Sequence, residues 1–137
     1  MQEKKQTRRG LSKNEINRNK EKEEKEMTFL GINANKLLNK IDSFENWVIE
    51  KDPAVFTLQE TKVSSIGQIK SLSTRKYQLY EKIRSVNPGM GGGLCIGVKK
   101  ELPSSLIREG GEDVECLTVQ VEVGQQELVV VCGYGPQ

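Results

Sequence analysis

Apolar residues recur along this chain at two spacings, and each spacing predicts a different element. Within residues 36–50, intervals of four, three and four mark one face of an amphipathic helix. Asn35 is a candidate N-cap for this helix, and Pro53 ends the helical region. The residues on the apolar face are Leu37, Ile41, Phe44 and Val48.

Short apolar runs on both sides of this helix predict two strands, at residues 27–33 and 54–58. Strand, helix and strand at this spacing form a βαβ unit, in which a right-handed crossover joins two parallel strands. The carboxyl ends of the two strands then lie side by side, where open α/β sheets bind ligands. The residues that follow each strand are therefore candidate site residues.

The rest of the chain has the short alternating runs of a β-rich segment. A short helix is expected at residues 64–72, and residues 102–113 are predicted to form a loop because a proline and two glycines interrupt them. The last two strands are predicted to pair as a hairpin. The further strands are expected at residues 77–81, 94–98, 114–123 and 127–134.

Charge is distributed unevenly and divides the chain into two parts. Residues 1–27 carry nine Lys/Arg and six Asp/Glu with almost no apolar residues, so we expect a disordered, solvated tail. Contact with nucleic acid or a nuclear-import factor is the alternative for this tail. Residues 28–137 carry twelve Lys/Arg and thirteen Asp/Glu and form the predicted folded domain.

The residue types that are missing exclude several kinds of site. The chain has no histidine, which excludes within it a Ser-His-Asp triad, a Cys-His pair and a His-based zinc site. Its three cysteines lie in apolar runs, so we expect buried, reduced thiols in an intracellular protein. No apolar run is long enough to cross a membrane and no secretory signal opens the chain, so no membrane partner is expected.

Polar side chains follow the two predicted parallel strands. Asn33 and Asn35 come after the first strand, and Glu60 comes after the second. A carboxylate is a hard oxygen ligand suited to Mg²⁺, and an amide beside it can orient a phosphate or a water. Alternatively, the asparagines cap the following helix and Glu60 is only exposed. Tyr134, at the end of the last strand, is likewise open to a packing role.

A glycine-rich connection precedes the strand at residues 94–98. No Gly-Lys-Ser/Thr follows it and its spacing does not match GxGxxG, so the pattern does not indicate a phosphate-binding loop. A tight turn before the strand is the prediction for residues 89–93.

Four sequence words stand out in order along the folded part. They are FLGINAN at residues 29–35, DPAVFTLQETK at 52–62, GGGLCIGVKK at 91–100 and VVVCGYGPQ at 129–137. Together they resemble the endonuclease/exonuclease/phosphatase superfamily, and in particular the apurinic/apyrimidinic-like endonuclease domain of non-LTR retrotransposons. The resemblance covers residues 28–137.

The resemblance implies an α/β fold that is part of a four-layer α/β/β/α sandwich, in which two mixed sheets pack face to face with helices outside. Residues 28–137 would be the N-terminal half of the family domain, truncated at the C-terminus. We expect them to supply most of one sheet, with the second sheet largely absent. The bare sheet face would be an exposed apolar patch, which predicts self-association.

The resemblance also implies the chemistry of the site. Glu60 would be the ligand of Mg²⁺ (or Mn²⁺), helped by Asn33, and Tyr134 would complete the catalytic set at the scissile phosphate. Asn35, Tyr134 and Gln137 would contact phosphate or substrate. The substrate would be DNA, cut by phosphodiester hydrolysis in the nucleus, in an enzyme associated with a reverse transcriptase.

Three departures from the family pattern limit these expectations. Lys36 stands where the family has glycine, so the first loop is expected to have an altered backbone. Gln137 stands where the family has asparagine. The His–Asp pair that activates water in the family is missing, since the chain has no histidine, and we expect the chain to be inactive alone. The alternatives are a decayed, non-catalytic nucleic-acid-binding remnant, or a repair nuclease or phosphoesterase of the same superfamily.

Overall fold

The computed structural model describes residues 2–7, 26–65, 68, 76–84, 89–110 and 115–134, and for residues 2–7, 26 and 134 it describes the backbone alone. Within these ranges the chain forms strands, one α-helix and a 3-10 turn. The strands are β1 Gln2–Thr7, β2 Glu26–Asn33, β3 Val55–Gln59, β4 Tyr77–Lys82, β5 Leu94–Lys99, β6 Ser104–Glu109, β7 Glu115–Val123 and β8 Gln126–Tyr134. The 3-10 turn spans Leu37–Lys40 and leads into helix α1, Ile41–Lys51.

The predicted βαβ unit is confirmed. β2 and β3 run parallel, with Asn33 opposite Gln59 at their carboxyl ends. The helix between them buries Phe44 and Val48, two of the four residues on the predicted apolar face. The helix predicted at residues 64–72 lies largely outside the described residues.

Backbone groups, not side chains, close the two ends of the helical region. Neither Lys36, before the 3-10 turn, nor Lys40, before α1, makes a side-chain capping bond, and Asn35 is not the N-cap that the sequence predicted. At the other end, Asp52 adopts φ 47° and its N–H donates to Val48 O at 2.8 Å.

No helix in the described part of the chain is both long and apolar enough to cross a bilayer.

Five strands form the first sheet, in the order β1-β2-β3-β5-β4. β5 lies antiparallel to β3 and β4, so the sheet is mixed. At the opposite edge β1 pairs antiparallel with β2, and the expectation of disorder over residues 1–27 does not hold for residues 2–7. Main-chain hydrogen bonding to a neighbouring strand needs no apolar side chain, which is why composition did not predict β1. Residues 8–25 lie outside the described ranges, and their disorder stays a prediction.

A second, antiparallel sheet contains β6, β7 and β8. β7 and β8 form the predicted hairpin, which closes between Val123 and Gln126. The prediction of a loop over residues 102–113 is wrong, because β6 lies within it. β6 is an edge strand whose register shifts between Leu106 and Arg108, so its apolar residues do not alternate and the pattern fails.

Two hydrophobic clusters cover the two faces of the first sheet. One lies between α1 and the sheet and includes Phe44 and Phe56. The other lies between the two sheets and includes Ile96 of β5 and Leu117 of β7. The layers are therefore helix, sheet and sheet, which confirms the predicted class, an α/β fold forming part of a four-layer sandwich.

The second sheet is more complete than the resemblance led us to expect. It is not largely absent, since β6 to β8 cover the first sheet and β7 buries Val119 and Val121 completely. The bare surface is instead the other side of the second sheet, where Val129 and Val131 are 61% and 60% exposed. Strand alternation places these two valines away from the core, on a surface we call the outer β8 face.

The three cysteines are free thiols, as predicted. Cys95 and Cys132 are buried, and Cys116 is half-buried. Burial raises the pKa of the Cys132 thiol to about 12 and raises the pKa of Cys95 well above its ordinary value. Both buried thiols are therefore held in the protonated, unreactive form.

Asp52 connects the start of β3 to two lysines on neighbouring segments. Its Oδ1 accepts a hydrogen bond from Lys76 Nζ at 3.0 Å, and its Oδ2 lies 2.8 Å from Lys99 Nζ. The bonds from Lys99 and Lys76 hold the pKa of Asp52 below its ordinary value. A carboxyl group with a lowered folded-state pKa stabilises the fold above its unfolded pKa, about 3.9, and that contribution is lost as the pH falls.

We predict that Asp52→Asn lowers the free energy of unfolding at neutral pH by about 0.5–1 kcal/mol, a value limited by solvent screening because the carboxylate is half exposed. The difference should shrink as the pH falls below the unfolded-state pKa of about 3.9, and it should vanish once the pH is below the lowered folded-state pKa and the wild-type carboxyl is protonated. Urea unfolding over a series of pH values from neutral downwards measures the difference, with Glu50→Gln on the exposed side of α1 as the control. A loss of stability that stays the same across the pH series would contradict the assignment.

Candidate metal and phosphate site

The loops that follow β2 and β3 are hydrogen-bonded to each other at the carboxyl ends of these two strands. Ala34 N–H donates to Gln59 O at 2.7 Å, and Lys36 N–H donates to Glu60 O at 2.9 Å. A third hydrogen bond, from Leu37 N–H to the carbonyl of Thr61, continues the ladder. The predicted proximity of the two strand ends is therefore confirmed.

Glu60 and the two asparagines are brought together by a lysine. Lys62 Nζ donates to Asn35 Oδ1 at 3.1 Å and lies 3.8 Å from Glu60 Oε2. Asn35 N–H in turn donates to Asn33 Oδ1 at 3.2 Å. The amide oxygens are thus engaged within the site, and the alternative in which they cap the helix is wrong. Glu60 is also more than an exposed carboxylate, because its side chain is only 13% exposed.

Four residues around this site have a left-handed backbone. The φ angles are 43° at Asn35, 71° at Lys36, 57° at Glu60 and 54° at Lys62. Such angles are uncommon for residues with a Cβ atom and concentrate where function constrains the chain. Lys36 stands where the family has glycine, and it adopts the conformation that glycine favours. The lysine therefore keeps a glycine-like backbone at a steric cost.

The glycine segment before β5 holds the Glu60 loop. Lys62 N–H donates to Gly92 O at 2.9 Å, and Thr61 N–H donates to Gly93 O at 3.2 Å. Gly92 and Gly93 have φ angles of 67° and 92°, and a Cβ at Gly93 would collide with Thr61 Oγ1. The glycines are needed because two stretches of backbone approach each other closely here, which is a stronger reason than the predicted tight turn.

An ion pair that the sequence did not reveal lies beneath the same segment. Arg84 Nε donates to Glu115 Oε1 at 2.9 Å, and Gly93 N–H donates to Glu115 Oε2 at 2.9 Å. The Glu115 side chain is 11% exposed, whereas that of Arg84 is 37% exposed. No local pattern joins the two charged residues, since they lie 31 positions apart, one just after β4 of the first sheet and the other on β7 of the second.

An open cleft of about 470 Å³ lies at the carboxyl ends of β2 and β3. Lys62 and Arg84 bring positive charge to the cleft, and Glu60 brings negative charge. The lining residues are Asn33, Asn35, Glu60, Lys62, Arg84, Met90 and Gly91. An open, polar cleft with both signs of charge suits an anionic ligand together with a cation.

The end of β8 reaches the same edge of the molecule. Gln59 Nε2 donates to Gly133 O, and the backbone of Tyr134 lies opposite that of Glu115. The side chain of Tyr134 is not described, and Gln137 lies outside the described residues. Their contacts with phosphate or substrate therefore remain predictions.

The oxygen atoms of the cleft fit a small hard cation. Mg²⁺ is held by one or two carboxylates and otherwise keeps its waters, so Glu60 with the amide oxygen of Asn33 is a suitable donor set. The Lys62 ammonium already lies between Asn35 Oδ1 and Glu60 Oε2, which shows that these oxygens accept a positive charge. Within the described ranges, no three Cys, Asp or Glu side chains gather into a larger cluster.

Comparison with known proteins gives a likeness at the level of fold. No protein-family model matches the sequence, and no curated protein is significantly similar to it. The crystal structure of TDP2 from C. elegans matches with a TM-score of 0.55 and 15% identity over 74% of this chain and 33% of that chain. D. rerio TDP2, solved in complex with a single-strand DNA product, matches with a TM-score of 0.55 and 18% identity, over 78% of this chain and 45% of that chain.

At 15–18% identity these matches show the fold alone. The likeness agrees with the α/β sandwich fold that the resemblance of the four sequence words implies. The chain spans less than half the length of these two solved chains.

We predict that Gly93→Ala lowers the free energy of unfolding by about 2–4 kcal/mol, because it adds left-handed strain to a collision with Thr61. Gly133→Ala is the matched control, since its Cβ would meet Glu115 O at an ordinary 3.7 Å. Chemical denaturation of both variants measures the two costs. Equal, small losses would show that the close approach at Gly93 is unimportant.

Proposed function

We propose that this chain is part of a metal-dependent, phosphodiester-hydrolysing DNA endonuclease of the non-LTR retrotransposon type. The observation that carries the proposal is the position of Glu60, which lies with Asn33, Asn35 and Lys62 at the edge where two parallel strands end. This is the arrangement of a carboxylate, amides and a cation that phosphoryl chemistry uses.

The residues divide into two roles in this proposal. Glu60 and the Asn33 amide hold Mg²⁺ or Mn²⁺, which when bound polarises a phosphoryl oxygen and stabilises the leaving oxygen. Lys62 keeps the Asn35 amide oriented through its 3.1 Å bond, and Asn35 contacts the phosphate. Tyr134 approaches the scissile phosphate from the end of β8, with Gln137 as a further substrate contact.

A DNA strand in the nucleus is the proposed substrate. The QETK word at residues 59–62 supports a DNA nuclease, and the structural likeness to a TDP2 solved with single-strand DNA agrees with it. The retrotransposon origin and the neighbouring reverse transcriptase rest on the resemblance of the four sequence words. A repair nuclease or another phosphoesterase of the superfamily is the alternative assignment.

The chain by itself is proposed to bind and not to cut. It contains no histidine, so it has no side chain equivalent to the imidazole that activates water in the family. Losing a general base costs about 10²–10⁴-fold in rate. The same observation favours a second candidate function, a non-catalytic remnant that binds nucleic acid.

We predict that Glu60→Gln weakens Mn²⁺ binding at least tenfold, because even second-shell changes at metal sites cost about 10–100-fold. Electron paramagnetic resonance of free Mn²⁺ during titration measures the affinity, and competition by Mg²⁺ identifies a shared site. Glu50→Gln, an exposed carboxylate on α1, is the control. Metal-dependent nicking of plasmid DNA that survives Glu60→Gln would remove the assignment of Glu60.

We also propose that the outer β8 face mediates self-association. Val129 and Val131 stand on it side by side, at 61% and 60% exposure, on a strand with a free edge among the described residues. Exposed apolar surface on a β-strand favours pairing with another chain.

We predict that the wild type associates with increasing concentration and that Val129→Lys/Val131→Lys remains a monomer, because two ammonium groups block the face. Sedimentation velocity over a concentration series measures the association. Ile49→Lys is the matched control, since Ile49 on α1 is also an exposed apolar residue, at 70%. A wild type that stays monomeric throughout would refute this proposal.

A further inference from the structure

Arg84 is a charged residue of the cleft that none of the four sequence words contains. It lies two residues after β4 and lines the cleft together with Glu60 and Lys62. A Cβ built on Gly91 would come within 2.6 Å of a terminal nitrogen of its guanidinium. The guanidinium therefore lies directly against the glycine segment, close to the proposed metal site.

Glu115 fixes the position of this guanidinium from inside the molecule. One carboxylate oxygen accepts from Arg84 Nε and the other accepts from Gly93 N–H, each at 2.9 Å. A carboxylate with both oxygens bonded is held in one orientation, and it holds its partner in turn. A Cβ on Gly92 would collide with this carboxylate, so only glycine permits the arrangement.

The same glycine segment also holds the Glu60 loop. The carbonyls of Gly92 and Gly93 accept from the N–H groups of Lys62 and Thr61. The backbone that positions the proposed metal ligand is therefore the backbone against which the guanidinium rests. Arg84 and Glu60 therefore line the same cleft from two sides of one glycine segment.

The contribution of this ion pair to stability does not account for its position beside the cleft. Buried ion pairs contribute little net stability, because desolvation offsets the attraction between the charges. Here the acidic partner is buried and the basic partner is 37% exposed, so the pair presents its positive end to the cleft. A guanidinium has five N–H donors in a planar fork, which matches the oxygen atoms of a phosphate.

From this geometry we infer that Arg84 binds a DNA phosphate next to the scissile phosphate, and that Glu115 is its positioning residue. The inference rests on the proposed function of the cleft and names a further contact within it. Arg84 would anchor the strand through a backbone phosphate, so it would contribute to affinity irrespective of base sequence.

The test measures binding of a fluorescein-labelled 12-nucleotide single strand to the purified chain in Mg²⁺, by fluorescence anisotropy over a series of salt concentrations. Arg84→Gln should weaken binding about tenfold and reduce the slope of log affinity against log salt by about 0.7, the value for one phosphate contact on a single strand. Arg84→Lys should keep the slope and lose part of the affinity, because it keeps the charge without the fork. Arg108→Gln is the control, since Arg108 lies on β6 and does not line the cleft.

Glu115→Gln tests the positioning role. It should weaken binding, and the double variant Arg84→Gln/Glu115→Gln should bind no worse than Arg84→Gln alone, because Glu115 acts only through the arginine. Circular dichroism establishes that each variant folds. If Arg84→Gln does not fold, Arg84→Lys carries the test, and wild-type affinity in the folded lysine variant would overturn the inference.

Two negative outcomes are distinguishable. If Mg²⁺-dependent binding is lost in Glu60→Gln but Arg84→Gln binds like Arg108→Gln, the cleft binds DNA and only the role of Arg84 is wrong. If the wild type does not bind the strand at all, the proposed function fails and this inference fails with it.

Discussion

The close approach of backbone at Gly92 and Gly93 is the constraint on which the rest of the site depends. Their carbonyls hold the loop that carries Glu60, and the N–H of Gly93 binds the buried carboxylate of Glu115. Both glycines adopt positive φ angles, and side chains at these positions would collide with their neighbours. One short segment without side chains therefore connects the two sheets and sets the relative positions of the charged groups of the cleft.

The ladder of the first sheet stabilises a strained site. Asn35, Glu60 and Lys62 have left-handed backbones that cost about 1–3 kcal/mol each when nothing supports them. Parallel pairing of β2 with β3, and the bonds that continue it past Gln59, provide that support. The cost is local, whereas the support comes from the whole sheet, and this is the usual arrangement where function fixes the backbone.

The layers of the fold explain both what is buried and what is bare. The first sheet is covered on one side by α1 and on the other by the second sheet. The second sheet has only one side covered within the described residues, and Val129 and Val131 remain exposed on the other. The cleft lies where the ends of β2 and β3 meet the glycine segment, so its polar groups are accessible while both hydrophobic clusters stay closed.

The sequence by itself determined the elements that local spacing specifies. The helical stripe of Phe44 and Val48, the βαβ crossover and the final hairpin all follow from periodicity, and the crossover placed Asn33 beside Glu60. Only the tertiary structure decided that β1 pairs with β2 and that β6 pairs with β7, because edge strands are specified by backbone partners and not by an apolar pattern. It alone also joined Arg84 to Glu115, since an ion pair between the segment after β4 and the second sheet depends on how the two sheets pack and leaves no local signal in the chain.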